Sequence, residues 1–142
     1  MTVSLRQSML RIILLGFFLA RSDAGFRQHK AYVQITNNIG PGIELTYHCK
    51  SADDDLGERK LANGAFWGFS FRPNFWGTTQ YYCSFAWPGQ FQWFDIFITK
   101  RDYRDYGNNF DFLWSIVPTG PCRYNIDSKK YDICFPWNKP DA

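Results

Sequence analysis

The chain has 142 residues, with 16 lysines and arginines against 13 acidic residues, and aromatic side chains make up 20% of it. That length suits one domain with a core of its own, and a net charge of +3 is too small to mark a nucleic-acid or anionic-membrane surface. Two histidines and four cysteines without a Cys-x-x-Cys pair argue against zinc.

The N-terminal stretch predicts a cleaved leader. Arg6 and Arg11 precede an uncharged apolar run, residues 12–20, too short to cross a bilayer but of the right length for a signal-peptide core. Ser22 and Ala24 supply the small residues a signal peptidase inspects, which places cleavage before Gly25. The predicted organisation is a signal peptide over residues 1–24 and a single domain over 25–142, with no membrane insertion. Arg6, Arg11, Arg21 and Asp23 leave with the leader, so the mature chain sets 13 basic against 12 acidic residues and carries a net charge of +1.

The mature part alternates with the period of strands. A first run covers residues 31–36. In the next, 43–49, Ile43, Leu45, Tyr47 and Cys49 share one face, and Glu44, Thr46 and His48 the other. Ala65, Trp67, Phe69 and Phe71 follow, then Tyr81, Cys83, Phe85 and Trp87. The run 91–99 sets Phe94, Ile96 and Ile98 against Phe91, Trp93, Asp95 and Phe97, and Phe110, Phe112, Trp114 and Ile116 repeat the pattern. Residues 122–125 and 130–135 complete the set. Turn-forming clusters separate the runs, among them Asn37-Asn38, Asn63-Gly64, Pro73-Asn74, Pro88-Gly89 and Gly107-Asn108-Asn109. About eight short strands without an amphipathic helix predict an all-β fold, a small antiparallel β-sandwich tied by two disulfides.

Cys49, Cys83, Cys122 and Cys134 all lie behind the leader, and an even count there reads as two disulfides made in an oxidising compartment. Three connectivities are open. Pairing Cys49 with Cys134 and Cys83 with Cys122 is favoured because it ties the first part of the sandwich to its end. Cys49 to Cys83 with Cys122 to Cys134 is sterically as good.

No catalytic signature is visible. His29 and His48 are not brought together by sequence as ribonuclease-like acid–base chemistry would need. Asp53, Asp54 and Asp55 lack the alternate-position ligands of a helix-loop-helix calcium site and read as turn-forming aspartates. No metal or other cofactor is expected, and the absence of an Asn-x-Ser/Thr sequon predicts no N-glycosylation.

Nine short motifs in order carry a family resemblance: His48-Cys49-Lys50-Ser51, Asp53-Asp54-Asp55-Leu56-Gly57, Trp67-x-Phe69-x-Phe71, Phe75-x-Gly77-Thr78-Thr79, Cys83-x-Phe85-x-Trp87, Phe94-Asp95, Trp114-x-Ile116, Gly120-Pro121-Cys122 and Cys134-Phe135-x-Trp137. Together they resemble the plant self-incompatibility S-proteins and their homologues over almost all of the mature chain. The resemblance implies a small secreted extracellular protein, not an enzyme, with a disulfide-held β-sandwich. Some members act in the pistil as ligands for a pollen membrane receptor and trigger rejection of self pollen. Many members carry a further cysteine pair just before the Trp-x-Ile motif, where this chain has Asp111, Phe112 and Leu113, so two disulfides are expected and not three.

A monomer that binds a plant cell-surface receptor is therefore the leading expectation. The partner contact is placed on Lys100, Arg101, Asp102, Tyr103, Arg104, Asp105 and Tyr106, a dense stretch of mixed charge and tyrosines. The alternatives are another extracellular signalling role and a glycan-binding module that uses exposed Trp76 and Trp93.

Overall fold

The computed structural model describes residues 29–103 and 109–140. The leader expected over residues 1–24 and three residues of the expected partner contact, Arg104, Asp105 and Tyr106, lie outside the described residues.

Nine strands form among the described residues: β1 (Ala31–Asn37), β2 (Leu45–Lys50), β3 (Asp55–Leu61), β4 (Phe66–Phe71), β5 (Gln80–Trp87), β6 (Gln90–Ile98), β7 (Asp111–Val117), β8 (Gly120–Asn125) and β9 (Lys130–Cys134). They make a five-stranded sheet, β4-β1-β7-β8-β9, and a four-stranded sheet, β3-β2-β5-β6. The pairings are antiparallel except β1 with β7, which run parallel. The unexpected strand is β3. Its sequence Asp-Leu-Gly-Glu-Arg-Lys-Leu is exposed over most of its length, so it lacks the alternation by which a half-buried strand is recognised. It lies at a sheet edge, where charge discourages pairing with other chains.

The core lies between the inner faces. Val33 and Ile35 of β1, Leu45 and Tyr47 of β2, Phe85 of β5, and Phe112, Trp114 and Ile116 of β7 are buried at alternate positions. In β6 the alternation breaks. Tyr81 pairs with Phe97 and Tyr82 with Asp95, so Ile96 is an extra residue in the ladder. This bulge turns both Ile96 and Phe97 inward. Phe97 is therefore in the core and not on the Trp93 face expected from strict alternation.

The disulfides correct the favoured pairing. Cys49 bonds Cys83 and Cys122 bonds Cys134. Each pair occupies directly opposed positions of neighbouring antiparallel strands, β2 with β5 and β8 with β9. The Cα separation is 4.0 Å in both. Strand register thus sets the connectivity, and the expected Cys49 to Cys134 and Cys83 to Cys122 bonds would each have had to join different sheets.

Two buried polar arrangements complete the fold. The Asn37 amide donates to the carbonyls of Ile43 (2.8 Å) and Leu61 (2.9 Å), and its oxygen accepts from the Ile39 N–H (3.1 Å). One side chain thereby joins β1, the turn after it and the end of β3. After β6 the chain makes a five-residue π-helical turn, Thr99–Tyr103, that carries the fully buried Asp102. Its carboxylate accepts from Arg101 Nε (2.8 Å) and Nη2 (2.8 Å), from the Ile98 N–H (2.9 Å) and from Arg123 of β8. The Arg101 guanidinium also lies over the rings of Phe94, Trp114 and Phe135, about 5 Å from each centroid.

Candidate recognition site

The expected partner contact is split by this arrangement. Lys100 is exposed, but Asp102 is fully buried between two arginines and offers nothing to a partner. This corrects its assignment as a contact residue: the sequence shows a mixed-charge run and does not show that Arg123, 21 positions later, returns to neutralise it. Arg101 spends its guanidinium on Asp102 and on the Asp95 carbonyl (2.7 Å). The Tyr103 hydroxyl accepts from the His29 N–H (2.9 Å).

The exposed apolar groups gather elsewhere. Between β5 and the end of β4, residues 74–79 form a loop braced by its own polar side chains. The Asn74 N–H donates to Thr79 Oγ1 (2.7 Å), Asn74 Nδ2 donates to Thr78 Oγ1 (2.9 Å) and the Thr78 N–H returns to Asn74 Oδ1 (3.0 Å). Gly77, at φ 74°, takes the left-handed conformation this turn requires. The Thr79 carbonyl then accepts from both the N–H and the hydroxyl of Thr99, each at 3.1 Å, so the loop rests on the π-helical turn. Phe75 and Trp76 stand on this frame 60% and 81% exposed, with ring centroids 5.6 Å apart at 80°.

Below the loop opens a cavity of 870 Å³ floored by Leu56, Phe69, Phe71 and Tyr81 and rimmed by Asp53 and Asp54. The rim is a tight turn in which the Ser51 N–H donates to the Asp54 carbonyl (2.8 Å) and the Asp54 N–H to Ser51 Oγ (3.0 Å). The three aspartates diverge. Asp53 is exposed, Asp54 accepts the Tyr81 hydroxyl (3.2 Å), and Asp55 lies 2.5 Å from His48 Nε2. Hydrogen bonding from His48, and next from the Gly57 N–H, holds the Asp55 carboxyl below the ordinary carboxylate range. Burial pushes the Tyr81 phenol up, with hydrogen bonds and the nearby aspartates as lesser causes. The cavity is apolar below and acidic on one lip.

A second aromatic group lies on the outer face of the four-stranded sheet. Phe91 is 60% and Trp93 43% exposed, and Trp93 sits 5.7 Å from Phe91 and 6.2 Å from Tyr82 between ring centroids. They line a cavity of 510 Å³ with Asn138 and Lys139. The outward placement of Trp76 and Trp93 agrees with the sequence expectation, while the exposure of Phe75 and the closeness of Asp53 and Asp54 to it were not foreseen. The histidines go to different places: His29 precedes β1 and stacks on Phe110 at 4.6 Å, whereas His48 lies in β2 of the other sheet.

Residues 32–137 match the family described as plant self-incompatibility protein S1. The chain is 45% identical to S-protein homolog 2 of Arabidopsis thaliana over 123 residues, 83% of this chain and 74% of that protein. It is 46% identical to S-protein homolog 20 of the same plant over 106 residues, 75% of each. Among solved structures, a self-incompatibility protein homologue superposes with a TM-score of 0.55 at 17% identity, covering 79% of this chain and 97% of that one. That structure is described as belonging to a widespread family of small, highly stable, secreted proteins from plants.

Proposed function

This chain belongs to the plant self-incompatibility protein S1 family, and we propose that it is a secreted, non-enzymatic recognition ligand for a cell-surface receptor protein. The observation that carries the reading is the braced loop that holds Phe75 and Trp76 in water above an acidic-lipped apolar cavity. Leaving two large rings exposed has a solvation cost, and a rigid loop lowers the entropy lost when they bind. Aromatic anchors beside an apolar cleft are where binding energy concentrates in protein interfaces.

The test is saturable binding of labelled, oxidised protein to plant cells, pollen tubes first. Phe75→Ala and Trp76→Ala should each reduce binding by at least tenfold, about 1.4 kcal/mol, without lowering the melting temperature. Binding that survives the loss of both rings would refute the tip as the anchor. Applied to growing pollen tubes of several genotypes, arrest of some and not others assigns the pistil role in self-incompatibility. Uniform indifference removes that role and leaves a ligand in other extracellular signalling.

The exposed Phe91 and Trp93 favour a second reading, a glycan-binding face, because aromatic rings beside polar groups such as Asn138 and Lys139 can stack on sugars. Binding to a cell-wall glycan array that is lost in Trp93→Ala would support it. Cell binding unaffected by free sugars would count against it.

A further inference from the structure

The strand β4 is an open edge of the five-stranded sheet. Its partner β1 shows which of its backbone groups are unused. The Tyr32 and Asn38 amides bond Phe110 and Ile116 on the β7 side, whereas the Asn37 amide bonds Ala65 on the β4 side. Because N–H and C=O directions alternate along a strand, Ala31, Val33 and Ile35 bond toward β4 as well. Their register partners Phe71, Phe69 and Trp67 bond back to β1, which leaves Phe66, Gly68 and Ser70 pointing their N–H and C=O groups out of the sheet.

Such an edge is ordinarily blunted by charge, proline or a bulge. Phe66–Phe71 has no charged residue, no proline and no register shift against β1. The inward rings Trp67, Phe69 and Phe71 are only partly buried, and Phe69 and Phe71 open directly on the cavity with the Asp53 and Asp54 lip. An unsatisfied ladder and an unfilled apolar floor thus lie side by side.

We propose that this edge takes an extended segment of a partner polypeptide as an added strand. Its backbone pairs with Phe66, Gly68 and Ser70. Alternate apolar side chains enter the cavity, and a lysine or arginine at the Phe71 end meets Asp53 and Asp54. The acidic lip selects this occupant over a second copy of the chain. Arg72 is the one charged residue between Ala62 and Asn74, and a two-fold antiparallel pairing of β4 with its copy carries Arg72 to the far end, away from the lip. The inference rests on the ligand reading above and adds the mode of binding, backbone pairing with side-chain pockets.

The probe is a displayed library of random, roughly twelve-residue peptides panned on the oxidised protein. Enriched peptides should alternate apolar residues and carry a basic one. At saturation they should slow exchange of the Phe66, Gly68 and Ser70 amides by at least tenfold. Ser70→Pro deletes only an outward N–H and puts a ring in the path of the added strand, so it should weaken binding by at least tenfold while Ser70→Ala binds normally. Should Ser70→Pro lower the melting temperature, Asp53→Lys on the exposed turn serves instead and should reject the basic peptides. No enrichment, enrichment without a basic residue, protection of other amides, or full binding to well-folded Ser70→Pro overturns the proposal. A concentration-dependent dimer abolished by Ser70→Pro also overturns it, in favour of a second copy. Cell binding that persists when no peptide binds overturns the edge alone and leaves the ligand reading standing.

Discussion

Asp102 lies where one charge decides most. Its carboxylate lies between Arg101 and Arg123 with no solvent exposure, and removing one partner of a buried ionic group costs about 3–5 kcal/mol because the remaining charge loses its compensation. Asp102→Asn keeps the shape but strips both guanidiniums of the carboxylate they share, so chemical denaturation should show a loss of that order. The same carboxylate holds the Ile98 N–H next to Thr99, and Thr99 holds Thr79 at the base of the Phe75–Trp76 loop. The variant should therefore also speed amide exchange in residues 74–79 below the global transition. Gly120 is a second such point. At φ 142° its Cα faces the Phe135 carbonyl so closely that a Cβ has no room, and Gly120→Ala should lose about 2 kcal/mol or more. At Asp55 the prediction concerns pH. Its lowered pKa adds stability that is present above the ordinary carboxylate range and is lost as pH falls through the lowered value. His48→Ala removes the largest cause, so carboxyl NMR should find Asp55 titrating closer to the ordinary range.

Each disulfide is a property of two strands. Under the chain-entropy account, the bond across 34 residues between β2 and β5 is worth about 4 kcal/mol and that across 12 residues between β8 and β9 about 3 kcal/mol. Replacing Cys49 and Cys83 together by alanine should accordingly cost more than replacing Cys122 and Cys134 by serine, measured by urea midpoints under oxidising conditions. The strands themselves were legible wherever one face is buried: β1, β2, β5 and β7 alternate in sequence as they do in space. Legibility failed at β3, whose exposed charges carry no period, and at Phe97, where a bulge shifts the phase by one residue. It failed for the cysteines because alternation tells which way a side chain faces but not which strand lies beside it. For the site, aromatic exposure at Trp76 could be read from a turn-rich setting. The burial of Asp102 depends on a distant arginine and could not be.

For the molecule as a whole, alkaline pH tests how tightly the sheets close. Burial raises the Tyr47 phenol from 10.0 to about 12, so the folded state keeps its proton where the unfolded state has lost it. The resulting stability is complete below pH 10 and is lost as pH rises toward about 12, a contribution on the order of 2–3 kcal/mol. Unfolding curves between neutral pH and that window should show the loss, and Tyr47→Phe should flatten it. The spacing of the four cysteines along the chain bears on how the molecule is made. The two bonded loops follow one another without overlapping: residue 83 completes the first before Cys122 is reached, and Cys134 completes the second only 12 positions later. A chain threaded N-terminus first into an oxidising compartment therefore meets each correct partner as the next cysteine to arrive, so neighbour-by-neighbour oxidation yields the native bonds with no need for later reshuffling.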